Sequence, residues 1–311
     1  MLLDFYQHLP QHINPIAFSI GFFSVRWYAL SYIVGFVAVY SILLWRIENN
    51  DFKKTTQISN FQPASTRGND RLSTRGGFSI SNKFQNSKLE IKNLVLDYLL
   101  MIFFLALVGG RLGYVLFYDF SYFLAHPIAI ISPFDLQSGQ YVGLFGMSYH
   151  GALLAVIAGS YVFCKKKNID FWRWTDFVVP AIPAGYFFGR LGNFFNGELY
   201  GRVTTSPVGM YFQSDRFNLR LPSQLFEAAG EGLLMFVILW ALRNKVCDKG
   251  ILSSLYIMMY ATVRFAIEFW RQPDAQLGLF FGFLSMGQIL SLVMLVFGVV
   301  LYYFRKMEMV L

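Results

Sequence analysis

The 311-residue sequence is 55% hydrophobic and 19% aromatic but only 14% charged, against about 25% charged in ordinary soluble domains. With a mean hydropathy of +0.45, this weighs against a soluble enzyme and for an integral membrane protein. The formal net charge of +8 does not mark a nucleic-acid binder, because the basic residues are dispersed among loops rather than gathered on one soluble patch.

Residues 1–25 mix polar residues, Pro10 and Pro15 with a short apolar run, and lack the basic start and small-residue cleavage site of a signal peptide. They read as an interfacial segment. His8 and His12 have the i, i+4 spacing of a helical metal pair. Pro10 between them disturbs a helix, and no glutamate follows His8 as a His-Glu-x-x-His site requires. No metal is expected, and Cys164 and Cys247 lie too far apart to suggest one.

About seven apolar segments follow, over 27–45, 94–118, 145–164, 175–192, 225–243, 251–270 and 285–304, each near the roughly 20 residues that cross a bilayer. With the N-terminus outside, the outer side receives only Arg26, Arg202, Arg216, Arg220 and Arg271. Most other basic residues, from Arg46 to Lys306, fall on the inner side. The fold expected is an all-α polytopic membrane domain over 1–311, N-terminus periplasmic and C-terminus cytoplasmic. Residues 49–93, rich in Ser, Thr, Asn, Gln and basic residues, read as a disordered cytoplasmic insertion. The apolar run 123–131, broken by Pro127, is too short to span and reads as re-entrant or interfacial. Residues 193–224 read as a small periplasmic cap.

Four neighbourhoods place ionisable groups where lipid should be, which is costly unless they are paired or functional. Arg111 and Tyr114 share a helix face at i, i+3 behind Gly109-Gly110; Arg111 either braces backbone carbonyls or meets a substrate. His150 opens the third span. Gly189–Gly201 carries Arg190, Asn193, Asn196 and Glu198 among four glycines, with Asn196-Gly197 a helix stop and Arg190 a fork suited to phosphate oxygens. Tyr260, Arg264, Glu268 and Arg271 line one face of the sixth span, and Glu227 is a further partner for one of the arginines.

Gly189–Gly201 closely resembles the signature of the prolipoprotein diacylglyceryl transferase family. So do Arg26-Trp27-Tyr28, Gly109–Tyr114, Gly146–Gly151, Pro222–Glu227 and Arg264–Gln276. The resemblance implies transfer of a diacylglyceryl group from phosphatidylglycerol to the lipobox cysteine of a prolipoprotein signal peptide, releasing glycerol phosphate. It implies action on the periplasmic side of the bacterial inner membrane, among membrane lipids. No cofactor is expected, since the lipid brings its own leaving group, and a monomer is expected. Catalytic roles are expected of His150, Arg190, Arg264, Glu198 and Glu268: Arg190 and Arg264 on the leaving group, and His150, or a carboxylate among Glu198 and Glu268, receiving the thiol proton. Lipid contacts would come from Arg190, Asn193, Asn196, Arg264, Tyr28, Arg111, Tyr114, Glu227, Tyr260 and Gly201. The 49–93 stretch departs from the short connection usual in the family. Two other classes compete: an anion transporter, and an intramembrane hydrolase using Ser148 near His150. No internal repeat supports the first, and no Gly-x-Ser-x-Gly elbow the second.

Overall fold

The computed structural model describes residues 1–21, 23–49, 51, 78–132, 139, 146–246, 249–272, 280 and 282–308. The chain is mostly helical, and the single domain expected over 1–311 divides by packing into two compact units.

Unit one comprises Met1–Ser59 with Trp172–Leu311. It opens with α1 (Leu2–His12) and a hairpin of β1 (Ile16–Ile20) and β2 (Phe23–Arg26), followed by α2 (Trp27–Glu48). Helix α1 passes through Pro10 to His12, contrary to the disruption expected there. Pro10 lies in the last turn, where few hydrogen bonds remain to be lost, and Tyr6 ties the helix down by donating to the Val208 carbonyl at 3.0 Å. His8 stacks on Tyr211, ring centroids 4.8 Å apart.

The span expected over 175–192 is not one helix. It comprises α6 (Phe171–Val178), a 3-10 turn over Val179–Ala181, and α7 (Ile182–Asn196). Pro180 and Pro183 lack the N–H groups a continuous helix needs. Helix α7 packs closely on α2: a Cβ on Gly35 would stand 3.0 Å from the Gly185 carbonyl oxygen, so small residues let the backbones meet.

Beyond α7, β3 (Met210–Phe212) pairs antiparallel with β4 (Asp215–Arg220), over a small core of Phe194, Met210 and Phe212 joined by Tyr6, Ile13 and Tyr200. These two hairpins depart from an all-α fold; extended pairing satisfies the backbone where the sequence has no helical period. Then come α8 (Ser223–Glu227), a π-helical stretch over Ala228–Leu234, α9 (Met235–Leu242), α10 (Ile251–Ile267) and α11 (Met286–Met307). Asp176 on α6 caps α10 from a distance, accepting from the Gly250 and Ser253 backbone N–H groups at 2.6 and 2.8 Å. On α2, buried Arg46 lies 3.6 Å from Asp51, which also pairs with Arg243 at 3.2 Å.

Unit two, Asn60–Phe171, contains α3 (Phe78–Phe117), α4 (Phe120–Ala125), a 3-10 turn over Pro127–Ile130, and α5 (Tyr149–Lys167). Helix α3 begins inside the 49–93 stretch expected to be disordered; residues 52–77 of that stretch lie outside the described residues. Helices α3 and α5 pack through glycine: a Cβ on Gly113 would stand 2.7 Å from the Gly151 Cα. The run over 123–131 forms α4 and the turn, laying Phe123 and Ala129 against Val115.

Among the described residues, four helical stretches are long and apolar enough to cross a membrane: Trp27–Glu48, Lys88–Phe117, Ser223–Leu242 and Met286–Met307; Ile251–Ile267 is a shorter apolar helix. The protein is a multi-pass membrane protein.

Candidate active site

The site in unit one forms where three helices bring charge together. Helix α7 supplies Tyr186, Arg190 and Asn193, the α8–π segment supplies Glu227 and Glu231, and the end of α10 supplies Tyr260, Arg264 and Glu268, followed by Arg271. Helix α7 stops where Gly197 turns left-handed at φ 66°. That turn sends the chain back so that Asn193 donates to Glu198 at 2.8 Å. Arg190 does not pair with Glu198, its neighbour in the same stretch; it lies 2.7 Å from Glu227.

Glu227 is the hub. It reaches Arg190 at 2.7 Å, Arg264 at 3.2 Å and Arg271 at 3.3 Å. Arg264 also pairs with Glu268 at 2.8 Å and lies 3.6 Å from Glu231. Behind them Arg190 Nε donates to the Tyr186 hydroxyl at 2.8 Å, and Tyr186 donates to Glu231. Tyr260 packs edge-on to Tyr186, centroids 6.1 Å apart. Glu268 accepts from the Ser285 hydroxyl at 3.0 Å, which ties the site to the capping box of α11.

The layering decides what this cluster can do. The Glu227, Glu231 and Glu268 side chains are 0%, 0% and 6% exposed, whereas those of Arg190, Arg264 and Arg271 are 16%, 14% and 19% exposed. Carboxylates sit behind and guanidiniums in front, so the accessible face is cationic and rigidly held. It is suited to an anion with several oxygens.

Other expected site residues fall around this cluster or apart from it. Tyr28, on α2, hydrogen-bonds Tyr32 at 3.1 Å and lies within electrostatic reach of Glu198 and Arg190. Asn196 accepts from Arg26 at 3.4 Å. Gly201 has a packing role: its N–H donates to the Leu221 carbonyl at 2.7 Å, and a Cβ would stand 2.9 Å from that same oxygen.

Arg111, Tyr114 and His150 belong to unit two. Arg111 donates to the carbonyls of Ile130 at 2.8 Å, Ala129 at 2.6 Å and Gly146 at 3.3 Å, the bracing alternative. Tyr114 stacks on Tyr118 with centroids 5.2 Å apart. His150 is exposed in the first turn of α5, beside the Tyr149 ring at 5.8 Å. Ser148 is buried and caps that helix, accepting from the Gly151 N–H at 3.3 Å. Sequence reasoning missed Tyr186, Glu231 and Ser285. The first looks like an aromatic-belt residue and the second like an isolated charge. The capping-box spacing Ser285-x-x-Gln288 was the available signal for the third.

The sequence profile of the prolipoprotein diacylglyceryl transferase family matches residues 15–65 and 75–304. The chain belongs to that family. It is 42% identical to the phosphatidylglycerol–prolipoprotein diacylglyceryl transferase of Chlorobaculum tepidum over 306 residues, covering 96% of this chain and 93% of the relative. The proteins of the same name from Desulfotalea psychrophila and Legionella pneumophila (strain Lens) are each 38% identical; the alignments cover 96% and 95% of this chain, and 96% and 98% of the relatives. Within the stretch read as an insertion, the family match omits 66–74. The guanidinium-faced cluster lies wholly within the matched residues.

Proposed function

We propose that this protein transfers the diacylglyceryl group of phosphatidylglycerol to the lipobox cysteine of prolipoproteins, with the cluster around Glu227 gripping the lipid phosphate. The observation that carries this reading is the layering of the site, guanidiniums forward and carboxylates behind, in a chain of this family. The cysteine sulfur forms a bond to the glyceryl carbon while that carbon's bond to the phosphate oxygen breaks, and the electron pair leaves with glycerol phosphate. Negative charge therefore grows on the leaving group, and preorganised Arg190 and Arg264 bind it more tightly in the transition state than in the ground state. The thiolate is the nucleophile, and we assign His150 to receive the thiol proton. Glu198 holds Asn193 and so orients Arg190, and Glu268 does the same for Arg264. Tyr28, Asn193, Asn196 and Tyr260 complete the lipid-binding surroundings, with Gly201 packed behind them; Arg111 and Tyr114 support the fold of unit two.

The chain works as a monomer with seven spans in the bacterial inner membrane. Its N-terminus and active site are periplasmic, 193–224 forms a periplasmic cap, and the connection before α3 is cytoplasmic. The strongly basic inner loops support this orientation. Burial of Ser148 as a helix cap disfavours the hydrolase reading. The test is incubation of the purified protein with phosphatidylglycerol and a lipobox peptide, followed by mass spectrometry. A diacylglyceryl mass gain on the cysteine with release of glycerol phosphate is expected. Free fatty acid or cleaved peptide without an adduct would point to a hydrolase, and unchanged reactants to a transporter.

A further inference from the structure

Before any ligand arrives, the cluster holds no surplus of positive charge. Among the described residues, the guanidiniums of Arg190, Arg264 and Arg271 face the carboxylates of Glu227, Glu231 and Glu268. Glu198 adds a further carboxylate one hydrogen bond beyond Asn193. A phosphodiester seated on the guanidiniums brings one more negative charge to carboxylates that are almost sealed from solvent. Unbalanced charge in such surroundings is strongly disfavoured. A proton taken up with the lipid offsets the charge it adds.

The geometry also indicates where that proton goes. Glu227 bridges three guanidiniums, so neutralising it would undo the whole scaffold. Glu268 lies 2.8 Å from Arg264 and accepts from Ser285. Glu231 is held more weakly. One of its oxygens accepts from Tyr186; the other, like one oxygen of Glu227 and one of Glu268, is buried without a hydrogen-bond donor, but its nearest cation, Arg264, stands 3.6 Å away, against 2.7 and 2.8 Å for theirs. The charged and titratable groups facing it are Tyr186 and Arg190 from α7, Arg264 from α10, and Glu227 from its own helix, with Tyr260 against Tyr186.

We propose that binding of phosphatidylglycerol is coupled to uptake of one proton by Glu231. Glu231 and Tyr186 thereby act as a positioning pair that frees the charge of Arg190 and Arg264 for the phosphate. This rests on the phosphate-binding reading given above. The proton comes from solvent on binding and returns when glycerol phosphate leaves.

Calorimetric titration of the full-length protein in detergent with short-chain phosphatidylglycerol, in two buffers of different ionisation enthalpy, counts the protons exchanged. The wild type is expected to take up about one proton per lipid, with Kd rising about tenfold per pH unit across the range of uptake. Glu231→Gln keeps the shape without the charge; it is expected to bind at neutral pH with no proton exchange and a flat pH profile. Tyr186→Phe removes a donor to the carboxylate, so its uptake should extend to higher pH. Diacylglycerol of the same chain length, lacking phosphate, should exchange no proton. Wild-type binding without proton exchange overturns the proposal, and so does full uptake by a folded Glu231→Gln protein. If that variant fails to fold, the wild-type count and an unshifted Tyr186→Phe profile serve the same purpose. Phosphatidylglycerol affinity unchanged by Arg190→Lys would overturn the phosphate reading itself, so the two failures are distinguishable.

Discussion

Arg190 and Glu227 carry different burdens although they touch. Arg190 offers its planar fork to the proposed phosphate, and lysine keeps the charge while losing that fork. Arg190→Lys is expected to lower kcat/KM for lipid transfer by about 10²–10³-fold, the range for loss of a preorganised transition-state donor; transfer at the wild-type rate would defeat the assignment. Glu227 holds three guanidiniums in place from a fully buried position. Removing one partner of a buried ion pair costs about 3–5 kcal/mol, so Glu227→Gln should lower the thermal midpoint in detergent as well as activity. For His150, replacement by alanine should depress transfer more at low pH than at high pH, where more of the thiol ionises unaided. A loss that is uniform across pH would leave His150 a structural residue.

At the scale of elements, the site depends on how α11 meets α10. Gly287 lies in the first turn of α11, where a Cβ would stand 2.6 Å from a Glu268 carboxylate oxygen. Gly287→Ala is expected to push Glu268 off Arg264 and reduce transfer severalfold, with a stability loss of about 1–3 kcal/mol from overpacking. Activity and melting temperature both equal to wild type would show that Glu268 can relax without consequence. The π-helical stretch over Ala228–Leu234 is the other decisive element. Such segments cluster at functional sites, and here it carries Glu231, directly after Glu227. Nothing in Ala228-Ala229-Gly230-Glu231-Gly232 announces that geometry, because a π turn is set by tertiary packing rather than by local preference.

For the whole molecule, the proposed orientation has a direct check. A cysteine introduced at Ser206, in the cap, should react with a membrane-impermeant maleimide in intact cells, whereas one at Lys167 should react only after permeabilisation. The opposite pattern would invert the topology. Deleting residues 66–74, the internal stretch that the family match omits, should leave transfer in detergent within about twofold of wild type, since loop-length changes are entropically mild. A dead enzyme would give that stretch a role in the site.

Composition, span-length apolar runs and the ordered motifs were enough, without coordinates, to indicate a polytopic membrane protein of this family. They also sufficed to name Arg190, Asn193, Glu198, Glu227, Arg264 and Glu268, because hydrophobic period and residue chemistry are local properties of the chain. Only the tertiary structure decided the partners. Glu227 rather than Glu198 pairs with Arg190; Arg111 braces carbonyls; Gly201 serves packing; Tyr186 and Glu231 stand behind the guanidiniums. Each of these contacts joins groups set beside one another by helix crossings or a turned-back loop, and sequence spacing does not encode how close such groups come.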